Sequence, residues 1–91
     1  MNKSYEKKLL AAFMKAGKEE KLLKEFFAEM LTDKEYAEMV RRFEILTRLA
    51  EGVAQRQIAD DLKLGIATVT RGSHVLSKSG NAFRKLTGKT K

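Results

Sequence analysis

The stretch QRQIADDLKLGIATVTRGSHVL, residues 55–76, decides the fold. Its first eight residues set Ile58 and Leu62 one turn apart with the small Ala59 beside them, the apolar edge of a short helix. A tight KLG turn follows at 63–65. From Leu64 to Leu76, five of thirteen residues are β-branched and glycines stand at Gly65 and Gly72, a composition that propensity alone assigns to a strand or a loop. Two short segments joined by a turn of three or four residues, with a small residue in the first, instead describe a helix-turn-helix unit. A helix lying in the major groove needs small side chains so that its backbone approaches base edges, and hydroxyls or methyls to meet phosphates and thymine. Ile66, Ala67, Thr68 and Thr70 supply those groups. Their poor helix propensity, about a few tenths of a kcal/mol each, has to be offset by docking Val69 and Leu76 on the rest of the chain.

Upstream, TDKE at 32–35 is a capping box that starts a long helix, with Tyr36, Met39, Val40, Phe43, Leu46 and Leu49 expected inward and Gly52 as the left-handed residue after its end. Two amphipathic helices precede it. In the first, residues 4–17, Ser4 is the expected N-cap, Leu9, Leu10, Phe13 and Met14 form the stripe, and Gly17 stops the helix. In the second, residues 18–31, Leu22, Leu23, Phe26, Phe27, Met30 and Leu31 make a face wide for so short a helix, which favours burial against a second subunit. Downstream, Asn81 is the expected cap of a last short helix that packs back through Phe83 and Leu86, and residues 87–91 read as a flexible basic tail.

The totals agree with an all-α fold. The chain has 91 residues, no proline, 43% hydrophobic residues largely at three- and four-residue spacing, and no alternating run long enough for a sheet. One domain is expected, with residues 4–52 and 81–86 as a dimerisation core and 55–76 as a reading head. No cysteine is present, which excludes disulfides, thiol catalysis and cysteine-ligated zinc. Lys or Glu interrupts every apolar run, so no membrane span or signal peptide is expected and the location expected is cytoplasmic. The net charge of +7 is unevenly placed: residues 1–61 carry twelve basic and twelve acidic side chains, whereas 62–91 carry seven basic ones and no acid. Such a block suits a polyanion, with nucleic acid as the leading partner class. His74 is the only histidine and no paired carboxylates accompany it, so neither an enzyme nor a metal site is expected.

The sequence resembles the Trp repressor family. The resemblance rests on ATVTRGS at 67–73, on QRQIADDL before it, and on MLT ahead of the long helix with VRRFEIL inside it, and it covers roughly residues 22–86. It implies a six-helix subunit in an intertwined homodimer that binds L-tryptophan as co-repressor and then a palindromic operator in double-stranded DNA. The matching positions for the indole sandwich are Arg42 and Arg71, whose planar guanidinium groups suit an aromatic face. Arg71 also reads as a phosphate contact. Gly72, costing about 1 kcal/mol inside a helix, is explained if a ligand or backbone passes where a Cβ would sit. Thr32, Leu31 and Glu29 match where the family holds the ligand's amino group across the dimer. Gln55, Arg56, Ala59, Ile66, Ala67, Thr68, Thr70, Arg71 and Ser73 match the operator-facing positions, with Arg56 the candidate for a guanine edge.

Departures from the family pattern keep an alternative open: a Trp-repressor-like DNA-binding regulator with a different ligand or none. Val75 stands where many members have a Ser that contacts the ligand, and Ala59 where a Lys often meets phosphate. The turn glycine is Gly65 and not a residue two places earlier, leaving Lys63 at a position of expected backbone strain. The turn before Gln55 is one residue short and lacks a Ser or Thr cap. That feature is shared with a neighbouring branch of the family, which generally lacks the RGS found here.

Overall fold

A computed structural model of the protein describes residues 1–88. Among them stand six helices and no strand: α1 (Lys3–Ala16), α2 (Glu20–Met30), α3 (Asp33–Ala50), α4 (Gln55–Leu62), α5 (Ile66–Ser79) and α6 (Asn81–Thr87). The chain divides into two compact units, one ending at Ala37 and the other starting at Glu38.

In the first unit α1 begins two residues earlier than its serine suggested. Asn2 is the cap, its Oδ1 accepting from the backbone N–H of Ser4 at 2.8 Å and of Tyr5 at 3.1 Å, so Ser4 lies inside the first turn. The rings of Phe13 and Phe26 meet edge-on with centroids 5.2 Å apart, and Phe27 sits 5.5 Å from Phe13 and 5.8 Å from Tyr36. Even so, Ala16 is the only buried residue of the unit, and Leu10, Met14, Leu22 and Met30 are all exposed. The capping box forms as read: Thr32 Oγ1 accepts from Glu35 N–H at 3.1 Å, and the Glu35 carboxylate accepts from Thr32 N–H at 2.8 Å.

The second unit holds two small apolar clusters. Ile45, Ile58, Ala59 and Val69 form one, with Leu49, Val53, Leu62 and Leu64 against it; Leu46, Ala50, Leu76 and Phe83 form the other. Val69 and Leu76 therefore anchor α5 as the sequence requires, and Ile58 and Val69 lose all contact with solvent. The inward set on α3 differs from the expected stripe. Ile45, Leu46 and Ala50 are buried, whereas Met39, Val40 and Phe43 remain exposed, because α4, α5 and α6 pack only on the C-terminal half of the helix. Leu86 is exposed as well, contrary to expectation, since Phe83 alone fills the space beside Leu46 and Leu76.

Two junctions fix the reading head. Lys63 ends α4 in the left-handed region, φ 56° and ψ 49°, so the strain expected there is present, while Gly65 is extended and occupies the N-cap position of α5. Ala54 occupies the N-cap position of α4 and makes no side-chain cap bond, as its residue type requires. At the far end α5 continues to Ser79, and Arg84 of α6 reaches back to donate to the Leu76 carbonyl at 2.7 Å, serving one of the carbonyls left open where α5 ends. Gly80, not Asn81, takes the N-cap place of α6, and its missing Cβ leaves room for the Leu76 carbonyl oxygen and the Arg84 guanidinium, each 3.0 Å from where that Cβ would lie. Thr87 closes α6 by donating its hydroxyl to the Phe83 carbonyl, and the rest of the expected basic tail, 89–91, lies outside the described residues.

Candidate ligand cleft and nucleic-acid interface

The cleft owes its shape to a close approach of α5 to α3. Gly72 is buried, and a Cβ there would fall 2.9 Å from Ile45 Cγ2 and 3.4 Å from Leu49 Cδ1. The missing side chain is thus occupied by Ile45, and not by a ligand or a backbone as the sequence suggested. This contact brings two matching faces together. Glu38, Arg41, Arg42 and Ile45 of α3, and Thr68, Arg71, Gly72 and Val75 of α5, line a cleft of about 480 Å³. Each set has the spacing i, i+3, i+4, i+7, which is one stripe of a helix.

Arg42 and Arg71, proposed from sequence as a pair, line the same cleft from two helices. Gly72 and Val75 join them. Thr32, Leu31 and Glu29, expected to reach a ligand across the dimer, belong to the first unit, where the Thr32 hydroxyl accepts the Glu35 N–H of the capping box. Sequence reading missed Glu38, Arg41 and Ile45, and placed Thr68 on the DNA side only. The spacing around Arg42 carries the signal for all three α3 residues, since positions four before, one before and three after it share its face. Among the described residues, none of the four charged side chains of the cleft takes part in an ion pair.

The reading head presents a polar, acid-free α5. Ile66, Ala67, Thr68, Arg71 and His74 are exposed, as is Arg56 of α4, and Ser73 is half-buried. Ala59 is corrected: it is buried, 7% exposed, in the cluster of Ile45, Ile58 and Val69, and so is a core residue with little surface to offer to DNA. Thr70 and Gln55 are partly corrected. The Thr70 hydroxyl donates to Gln55 Oε1 at 2.8 Å and lies 3.0 Å from the Ile66 carbonyl oxygen, so these two side chains bind α4 to α5. The amide nitrogen of Gln55 is left as its outward donor. Arg48 adds a second tie at the head's base, donating to Glu44 at 2.7 Å on α3 and lying 3.6 Å from Asp61 on α4.

The family model for the Trp repressor protein matches residues 6–90. The chain belongs to the Trp repressor family. It is 36% identical over 67 residues to a Trp operon repressor homolog of Chlamydia trachomatis serovar L2, a match covering 72% of this chain and 71% of that protein. Its identity to the corresponding homolog of serovar D is 34% over 67 residues, with the same coverage. No solved structure matches the chain. The Trp repressor family is one of transcriptional regulators and not of enzymes, and the all-α architecture seen here is that of the family. Among the described residues no helix is long and apolar enough to cross a membrane.

Proposed function

We propose that the protein is a ligand-gated transcriptional repressor that binds a palindromic operator as a homodimer, with L-tryptophan as co-repressor. The observation that carries this reading is the shared cleft: Arg42 and Arg71 reach one space of about 480 Å³, within the range of small-molecule sites. Two guanidinium planes there suit the faces of a flat ring. A ring held between α3 and α5 props the reading head at one angle and so selects one of its orientations. In that orientation the two recognition helices of a dimer enter successive major grooves, about 34 Å apart. Affinity for the operator then depends on ligand through the aim of the two helices, and Arg56, Ala67 and Thr68 make the nearest approach to base edges and phosphates.

Dimerisation is supported by what the single chain leaves uncovered. A first unit with one buried residue, Ala16, does not bury enough surface to hold itself together, and Leu10, Met14, Met39, Val40 and Phe43 are exposed apolar surface. A second copy of the chain supplies the missing cover. Val75 in the cleft favours the second reading, in which the same DNA-binding dimer answers a different ligand, because a valine offers no hydrogen bond at that place.

Isothermal titration with L-tryptophan, paired with a gel shift on DNA upstream of the protein's own gene, tests the reading. Ligand should bind and should tighten the shifted complex, and Arg71→Ala should remove the dependence on ligand. No heat and no thermal stabilisation at millimolar L-tryptophan would move the assignment to the second reading.

A further inference from the structure

The turn between α4 and α5 places its residues in an order that its backbone does not ask for. The Leu64 N–H donates to the Ala59 carbonyl at 2.9 Å and the Lys63 N–H to the Asp60 carbonyl at 3.3 Å, the pair of bonds that closes a helix over a left-handed residue. Glycine suits that place best, because any Cβ is strained there, yet Lys63 holds it at φ 56°. Two residues on, Gly65 is extended at φ −69° and ψ 145°, a conformation open to any residue, and a Cβ on it would meet nothing within 4 Å. The Lys63 side chain is exposed, and Leu64 is the turn residue that packs on the cluster of Ile45, Ile58 and Val69. Among the described residues Lys63 takes part in no ion pair, although Asp60 and Asp61 immediately precede Leu62 and Lys63; Asp61 is engaged by Gln57 at 2.9 Å and approached by Arg48 at 3.6 Å. Strain of this kind persists where a side chain acts on something outside the fold.

The location of the ammonium says what that is. Lys63 is the first charge of the stretch 62–91, which has seven basic residues and no acid. It stands three residues ahead of Ile66, and so borders the N-terminal end of α5, where Ile66, Ala67 and Thr68 are exposed. A lysine there is a compact cation on a flexible stem, suited to a phosphate as a point charge and not to the two-pronged reading of a base edge. We infer that Lys63 is a phosphate-contacting residue of the DNA interface, its ammonium meeting the backbone of double-stranded DNA beside the groove that α5 enters. The inference rests on the DNA-binding reading given above and adds to it a contact from the turn itself. Glycine at this position favours the fold and lysine favours binding, so one substitution should move the two in opposite directions. A phosphate contact is also blind to sequence, and its loss should be felt on any duplex.

The test is a salt titration of DNA binding by fluorescence anisotropy, with the full-length protein, the duplex upstream of its own gene and a scrambled duplex of the same length, each with and without millimolar L-tryptophan. Thermal unfolding of the same samples supplies the second readout. Lys63→Gly should melt higher than the wild type and bind both duplexes more weakly, by about fivefold per protomer at 0.15 M salt relative to 1 M, with the slope of log affinity against log salt shallower by about 0.9 per protomer. Lys63→Asn, uncharged and tolerant of the left-handed region, should lose the same slope, and Lys63→Arg should keep it. A wild type that binds DNA while Lys63→Gly and Lys63→Asn retain its affinity and slope would overturn the role of Lys63 alone. A loss confined to the gene's own duplex would overturn the phosphate assignment in favour of a base contact. Failure of the wild type to bind either duplex at any salt would overturn the DNA-binding reading together with it.

Discussion

Replacing Gly72 with alanine sets two known effects against each other. In an unconstrained helix the change stabilises by about 1 kcal/mol, because alanine loses less backbone entropy and is the better helix former. Here the added Cβ falls 2.9 Å from Ile45 Cγ2 and 3.4 Å from Leu49 Cδ1. Ile45 cannot swing aside easily: it is β-branched, 3% exposed, and packed among Ile58, Ala59 and Val69. Overpacking of this kind costs about 1–3 kcal/mol. At a 2.9 Å approach to a side chain that cannot swing aside the steric cost lies in the upper part of that range, about 2–3 kcal/mol, so it exceeds the helical gain and Gly72→Ala should destabilise the protein by about 1–2 kcal/mol. For a chain of this size each kcal/mol moves the midpoint by about 4–8 °C, so thermal unfolding followed at 222 nm should show a fall of roughly 5–15 °C. Protein concentration must be equal for both samples, because association of any kind makes the midpoint depend on it. Since Gly72 and Ile45 also line the cleft, the outward shift of α5 should weaken L-tryptophan binding in the same variant. Ile45→Leu, which lacks the branch at Cβ, should recover part of the stability. A Gly72→Ala protein that melts higher than the wild type would refute the claim that α5 is pressed against Ile45.

Lys63→Gly should stabilise the protein by about 0.5–1 kcal/mol, because a left-handed lysine at φ 56° costs about 1–2 kcal/mol and glycine's greater freedom in the unfolded chain offsets only part of the relief; urea unfolding at fixed protein concentration measures it. Thr32→Ala should cost about 1 kcal/mol through loss of the capping hydroxyl, measured by thermal unfolding at fixed protein concentration. Thr70→Val should lower stability by about 1 kcal/mol by leaving the half-buried Gln55 carbonyl without its 2.8 Å donor, and a comparable Thr68→Val change, at a residue with no such partner, should leave the melting curve in place while altering the gel shift.

Much of the fold was legible from local chemistry. The capping box at Thr32 and Glu35, the Gly52 stop and the burial of Ile58, Val69 and Leu76 all follow from side chains within a few residues of one another, and all are present, while the left-handed Lys63 was expected from the displaced turn glycine of the family pattern. The family assignment was legible for the same reason, since ATVTRGS is contiguous. What local pattern misjudged was any choice between neighbours that compete for one role. Asn2 outreached Ser4 at the cap of α1, and Gly80 displaced Asn81 at the start of α6, each settled by where the backbone turned.

From the sequence alone came the existence and order of the six helices and the unequal spread of charge, whereas the pairing of Arg42 with Arg71 came from the resemblance to the family. These depend on periodicity and on contiguous motifs, which are properties of the chain itself. Only the tertiary structure decided that Glu38 and Arg41 belong to the cleft, that Ala59 belongs to the core, and that the absent Cβ of Gly72 makes room for Ile45. Those outcomes turn on which stripe of α3 meets which stripe of α5 and α4. Helix register fixes the stripes, but the distance between two helices is set by the volumes of all the side chains packed between them, and no short segment encodes that sum.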